Sequence, residues 1–128
     1  MPFGCRFQLR ARSSEAKTNL SAIRTTEHSY RAEFGHYVAA SPSPPTFGGT
    51  RPQPFADMGP AGAGFDTVGW KPEGLVYFQY AVVVAGEAYT ADAVGDIDGD
   101  GILQHWGFLH PDATGASVAG ALGCAGVW

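Results

Sequence analysis

Between Arg10 and Tyr37 the apolar positions follow a helical period. After residue 37 they form short strand-like runs. In the first segment they recur at alternating steps of seven, four and three, which places them on one face of a helix. Glu27 lies on this face as a polar exception, and Gly35 is expected to end the helix. The pattern predicts an amphipathic helix over residues 1–36, with this apolar face: Leu9, Ala16, Leu20, Ile23, Tyr30, Phe34 and Tyr37.

The rest of the chain is divided by glycine and proline. Residues 38–74 contain the runs SPSPP, RPQP and GPAGAG and are predicted to be loop, because proline-rich runs form poor strand ladders. Aromatic and β-branched residues predict strands over 75–84, 88–94 and 102–109, with a short hairpin turn at 85–87. Residues 110–128 form a Gly/Ala-rich tail, whose last residue, Trp128, is expected to dock on the sheet.

These elements predict an α+β fold in a single domain: one helix packed on a three- to four-stranded antiparallel meander over residues 75–109. A helix with one apolar face must bury that face against another element. The helical residues expected to form the core with the sheet are Ala16, Leu20, Ile23, Tyr30 and Phe34.

Charge is distributed unevenly along the 128 residues. All eight Lys and Arg lie at or before Lys71, whereas seven acidic and no basic residues follow from Pro72 onward. A basic first half and an acidic second half favour head-to-tail packing of copies of this chain, because complementary potentials attract. The alternative is a solvated helix face beside an acidic surface. The net charge of −4 argues against nucleic acid as the main partner.

The two cysteines and the first residues leave several interpretations open. Cys5 and Cys124 lie near opposite ends of the chain, and they either form a bridge that closes a long loop or remain separate thiols. The start, MPFGCRFQLRAR, is too short and too basic for a membrane span or a signal peptide.

The motif with the most specific chemistry is DIDGDG. Asp96, Asp98 and Asp100 alternate and are followed by Gly101, as in the first half of a calcium-binding loop. Such a loop would also use the backbone carbonyl of Ile102 as a ligand. The glutamate that completes an EF-hand is absent, so a Ca²⁺ ion would need a further ligand, for which the candidates are Asp92, Asp112 and Gln104. The alternative is a β-turn in which the aspartates cap backbone N–H groups.

Enzymatic signatures are sparse. The histidines show no HxH or HExxH spacing and are expected to be surface or packing residues; they are His28, His36, His105 and His110. The glycine-rich run GPAGAG lacks the strand–loop–helix context of a phosphate-binding loop. The sequence therefore predicts a non-enzymatic protein without a cofactor other than Ca²⁺.

Several segments together resemble a known family. The run ARSSEAKTNLSAIRTTEHSYRAEFGHY resembles the helix of type IV pilins, especially the small major pilins of deltaproteobacterial type. The segments GWKPEG, YFQYAV, YTADAVGDIDGDG and LQHWGF are similar, in the same order, to the strand and loop segments of those pilin heads. The resemblance covers nearly the whole chain.

The resemblance implies a structural subunit of a cell-surface filament, located outside the cell. Type IV pilins carry a long N-terminal helix on an antiparallel head, and the first half of that helix anchors the subunit in the membrane and then in the filament core. By position, Phe3, Phe7 and Leu9 would lie on the filament-core side and pack against other subunits. The partners implied are copies of this chain or other pilins.

The chain departs from the pilin pattern at its start. The processing motif and the apolar half of the helix do not precede Pro2. Three explanations are open: a shortened or late-starting chain, an N-terminal helix supplied as a separate polypeptide, or a paralogue that no longer assembles. Membrane contact would require that missing anchor. The alternative function is a secreted, monomeric, calcium-dependent binding or adhesion module with a pilin-like fold.

Overall fold

The chain has an α+β fold with one long helix and an antiparallel four-stranded sheet, as seen in a computed structural model. The structure describes residues 14–44, 51–58, 64–72, 74–95, 104–120 and 122. The elements are α1 (Ser14–Phe34), β1 (Ala40–Ser43), β2 (Gln53–Pro54), α2 (Phe65–Val68), β3 (Leu75–Val76), β4 (Gln79–Ala85), β5 (Ala88–Gly95) and β6 (Gln104–His110).

The large sheet has the order β1-β4-β5-β6, and β2 pairs with β3 in a separate two-stranded sheet. Every pair is antiparallel. A two-residue turn joins β4 to β5, where the sequence predicts a hairpin. Gly86 has a φ of 61° at the first central position of this turn, a value that glycine adopts without steric cost.

Helix α1 spans 21 residues, and its C-terminus lies where the sequence predicts. Gly35 has a φ of 88° and donates its backbone N–H to the carbonyl of Arg31 at 2.8 Å. A glycine in the left-handed region terminates a helix because it has no Cβ to clash with the turning backbone. The N-terminal part of the predicted helix, residues 1–13, lies outside the described residues, and so do Phe3, Phe7 and Leu9.

The apolar face of α1 is buried along its first three turns. Ala16, Leu20 and Ile23 are inaccessible or nearly so and share one buried cluster with residues of β4, β5 and β6. Tyr30 is only partly buried against this cluster. The inclusion of Phe34 in the core is wrong, because its side chain is 56% exposed. The chain turns at Gly35, and Tyr37 enters the core beyond the helix end instead.

The prediction that residues 38–74 form loop is wrong in part, because the segment contains β1, β2 and α2. Pro42 of the SPSPP run is compatible with β1 because β1 is an edge strand with an irregular register against β4. Phe65 of α2 and Trp70, two residues after the end of α2, belong to the core, with their ring centroids 5.0 Å apart.

The predicted strand over residues 75–84 is divided into β3 and β4, which belong to different sheets. Glu15 of α1 lies at the break. Its carboxylate accepts the backbone N–H of Tyr77 at 2.8 Å, the N–H of Phe78 at 3.3 Å and the hydroxyl of Tyr80 at 2.5 Å. The backbone groups at the break are therefore satisfied by a helix side chain rather than by a strand ladder.

Strand β5 is buried on both faces. Tyr89, Ala91 and Ala93 belong to the main core. On the alternate positions, the Thr90 hydroxyl donates to the carbonyl of Val118 at 2.6 Å, and the Asp92 carboxylate accepts the N–H of Leu122 at 2.8 Å. The tail thus lies over this face of the sheet, where its backbone satisfies two buried polar side chains. Trp128 lies outside the described residues.

Candidate functional site

Four rings from three parts of the chain meet at the C-terminal half of α1. They belong to His28 of α1, Tyr37 after α1, Tyr89 of β5 and His110 of β6, and we call them the His–Tyr cluster. The His28 and His110 centroids are 4.9 Å apart at an interplanar angle of 88°, and Tyr89 stacks on His110 at 5.3 Å. Tyr37 lies 4.6 Å from Tyr89. Edge-to-face and stacked arrangements of this kind are favourable for aromatic rings.

Polar atoms within the cluster have few hydrogen-bond partners. The Tyr37 hydroxyl lies 3.3 Å from Nε2 of His110. Nε2 of His28 and the hydroxyl of Tyr89 are buried and have no hydrogen-bond partner within the described part of the chain. Burial raises the pKa of Tyr37 and that of Tyr89 above the ordinary phenol value. Both phenol groups are therefore neutral at physiological pH.

Glu27, the polar exception on the apolar face, is completely buried beside the cluster. Its Oε1 accepts the backbone N–H of Val38 at 2.8 Å, which ties the helix to the segment that follows it. Its Oε2 is buried and has no hydrogen-bond partner among the described residues. Burial raises the pKa of Glu27 to about 7, although the bond from Val38 acts in the opposite direction.

Charged side chains surround the exposed side of the cluster. Arg31 donates to Oε1 of Glu87 through Nε at 2.8 Å and also through Nη2. The Arg24 guanidinium lies over the ring of Phe108, 4.6 Å from its centroid. Burial lowers the pKa of the His28 imidazole, and His110, Arg24 and Arg31 lower it further. His28 is therefore held neutral more firmly than a solvated histidine.

An open cleft of about 440 Å³ lies over the cluster. Asp112 forms part of the wall of this cleft. Its Oδ1 accepts hydrogen bonds from the backbone N–H groups of Thr114 and Ala116, each at 2.9 Å, and from the hydroxyl of Thr114. These bonds lower the pKa of Asp112. The cleft is lined by His28, Arg31, Tyr37, Glu87, His110, Pro111, Asp112 and Ala113.

The sequence predicts surface or packing roles for His28 and His110 and does not bring them together. They are 82 positions apart, and only the register of β5 and β6 places His110 opposite Tyr89. The one local signal is Glu27, a carboxylate on an otherwise apolar helix face. A buried charged residue at such a position either has a polar partner or has a shifted pKa. Glu27 therefore marks the part of the helix beside which the His–Tyr cluster lies.

The predicted calcium ligands Asp96, Asp98, Asp100 and Ile102 lie outside the described residues. Gly95 of β5 pairs with Gln104 of β6, so the acidic segment connects two neighbouring strands. Asp112 follows β6 at the opposite end of the strand from Gln104, and its role as an additional ligand stays a prediction, as do those of Asp92 and Gln104. No group of three or more His, Cys, Asp or Glu suited to a metal ion occurs among the residues that the structure describes.

Calcium binding by the acidic segment stays a prediction, and a thermal melt tests it. We expect millimolar Ca²⁺ to raise the melting midpoint relative to chelator, because a ligand of the native state stabilises that state. The variant Asp98→Asn should remove the shift, whereas Asp66→Asn, on the exposed side of α2, should retain it. An equal melting midpoint with Ca²⁺ and with chelator would contradict the prediction of a calcium site.

The helices of the described residues include none with the length and apolar content that a membrane crossing requires. Comparisons of the chain with protein-family models, with characterised proteins and with solved structures give no match.

Proposed function

We propose that this chain is a non-enzymatic structural subunit of a type IV pilus or a similar cell-surface filament, with a pilin-like head and α1 as its assembly element. The observation that carries the proposal is the division of α1 into a buried face and a long uncovered surface. Three apolar residues of its first turns are buried, while several neighbouring residues on other sides of the helix are exposed: Lys17, Thr18, Ser21, Arg24 and Thr25. A subunit built this way can bind its own sheet and its neighbours through the same helix.

An exposed aromatic patch at the end of α1 supports the proposal. Phe34 is 56% exposed, and its ring lies 4.5 Å from that of Tyr30, which in turn contacts His36 at 5.4 Å. Exposed large apolar side chains grouped in this way are typical of protein–protein contact sites. Aromatic residues also contribute most strongly when a partner covers them. Neighbouring copies in a filament would provide this cover.

Uneven charge gives the copies a preferred orientation. The uncovered side of α1 carries Lys17 and Arg24, while the second half of the chain is acidic. Opposite potentials steer association and disfavour like-to-like contacts. The other partner in this proposal is an apolar N-terminal helix, either encoded upstream in the same gene or supplied as a separate polypeptide. Phe3, Phe7 and Leu9 would adjoin that helix at the filament core.

Filaments sheared from the cell surface test the proposal. With the gene at its natural locus, we expect the chain in the sheared fraction and an upstream or separate segment of Gly-Phe-x-x-x-Glu type followed by about twenty apolar residues. Phe34→Ser should reduce incorporation about tenfold, since it removes an apolar anchor, and should leave the melting midpoint unchanged. Met58→Ser is the matched control, because Met58 is 50% exposed but does not lie on α1.

Two outcomes would contradict the filament proposal. The first is a wild-type chain that is secreted as a monomer and is absent from the sheared fraction. That result, combined with calcium-dependent binding to cells, would favour the alternative of an adhesion module. The second is equal incorporation of Phe34→Ser and the wild type, which would show that the end of α1 is not a contact between subunits.

A further inference from the structure

The C-terminal half of α1 is joined to the end of β6 largely through imidazole and phenol rings. The imidazole of His28 meets that of His110 at 4.9 Å and the rings of Tyr37 and Tyr89 at 5.4 and 5.6 Å. By contrast, the N-terminal end of α1 is fastened by Glu15 through three hydrogen bonds to residues 77–80. The two ends of the helix are therefore attached by different chemistry.

Fixed charges face the His–Tyr cluster from every element packed around it. Helix α1 contributes the cations Arg24 and Arg31, the β4–β5 turn contributes Glu87, and Asp112 follows β6. Glu87 binds Arg31, and Asp112 accepts hydrogen bonds from Thr114 and Ala116. Among the described residues, neither carboxylate therefore forms a hydrogen bond with an imidazole of the cluster.

Acidification changes the charge of this region in one direction. Histidine side chains acquire positive charge over the range from about pH 8 to about pH 5. Over the same range the buried carboxylate of Glu27 is neutralised, since its pKa is raised to about 7. Protonation of an imidazole in the cluster adds a positive charge, neutralisation of Glu27 removes a negative one, and the arginines remain charged. Like charges at about 5 Å in a partly desolvated site repel strongly.

We propose that the His–Tyr cluster makes the contact between α1 and β6 acid-labile, so that this end of the helix separates from the sheet at acidic pH while the Glu15 end stays attached. Opening would expose the rings of Tyr37 and Tyr89 and the walls of the cleft. The proposal is independent of filament assembly, because it concerns the isolated subunit.

His28 and the buried Glu27 act on global stability in opposite senses. The pKa of His28 is lower in the folded state, so its contribution is present above the unfolded value near 6.5 and is lost as the pH falls. The pKa of Glu27 is higher in the folded state, so its contribution is present below the unfolded value and is lost as the pH rises through about 7. The pH dependence of the unfolding free energy of the wild type therefore combines the contributions of His28 and Glu27.

A double-mutant cycle in the Glu27→Gln background isolates the histidine pair. His28→Phe, His110→Phe and the double variant retain aromatic packing, and their unfolding equilibria are measured in denaturant at pH 8 and pH 5. We expect the interaction between the two histidines to become less favourable at pH 5 by roughly tenfold in the unfolding equilibrium constant, equivalent to about one pKa unit. His36→Phe replaces His110→Phe in the control cycle, because His36 contacts Tyr30 outside the cluster.

Amide hydrogen exchange of the wild-type protein gives a second test that needs no variant. After correction for intrinsic rates, protection should fall about tenfold between pH 8 and pH 5 at residues 28–34 and 106–110, and should be retained at residues 77–80. An interaction between His28 and His110 that does not change with pH, or a loss of protection spread evenly over α1, would overturn the proposal.

Discussion

Replacing Ile23 with Asp is expected to unfold the protein at 25 °C. Ile23 is completely buried in the middle of the apolar face of α1. The substitution removes the burial of a large aliphatic side chain, which costs about 2–5 kcal/mol, and it places an unpaired carboxylate in the core at a further cost of several kcal/mol. Together these losses approach the roughly 5–15 kcal/mol that stabilises a domain. Leu20→Asp should act in the same way.

Circular dichroism and a denaturant titration measure the effect. The matched control is Ser21→Asp, which introduces the same carboxylate two positions away, where the side chain is exposed. This control should remain folded with a change in stability of at most about 0.5 kcal/mol, as is usual for surface substitutions. A soluble Ile23→Asp variant with an unchanged midpoint would show that this face of α1 does not form the core.

Replacing Glu27 with Gln is expected to stabilise the protein at pH 8 and to have little effect near pH 4.5. The folded pKa is raised from 4.5 to about 7, so the folded state binds the carboxyl proton more tightly than the unfolded state does. The stability that Glu27 contributes is therefore complete below about pH 4.5 and is lost as the pH rises through about 7. A shift of this size corresponds to a penalty of about 3 kcal/mol above pH 8.

Gln is the informative substitution because its amide oxygen can still accept the N–H of Val38. The difference in unfolding free energy between variant and wild type, measured from pH 4.5 to pH 8.5, cancels the contributions of the histidines. Glu33→Gln is the matched control, since Glu33 lies on the same helix and is exposed, so that it shows the effect of the same substitution outside the core. A constant difference for Glu27→Gln would mean that the buried carboxyl titrates as it does in water.

The structure also separates features that local sequence can predict from those that it cannot. The end of α1 at Gly35 and the turn at Gly86 depend on backbone preferences of one or two residues. Phe34 has the right spacing for the core, yet it is exposed, because periodicity does not say where the sheet stops covering the helix. Tyr37, which lies beyond the helix, takes up the buried position instead.

The break between β3 and β4 shows the limit of strand propensity. Residues 75–84 are rich in aromatic and β-branched side chains and favour extended backbone throughout. The break depends on Glu15, more than 60 positions earlier, which binds the backbone at Tyr77 and Phe78. Strand β1, which includes Pro42, likewise depends on its place at the sheet edge, where a missing N–H costs little.

By itself the sequence determined the α+β class, the amphipathic helix and its end, and the antiparallel hairpin of β4 and β5, because periodicity and glycine placement act over a few residues. Only the tertiary structure decided that His28, Tyr37, Tyr89 and His110 share one cluster and that Glu27 titrates near neutral pH. Such properties depend on desolvation and on charges brought close by distant segments, and these distances exist only once the chain is folded.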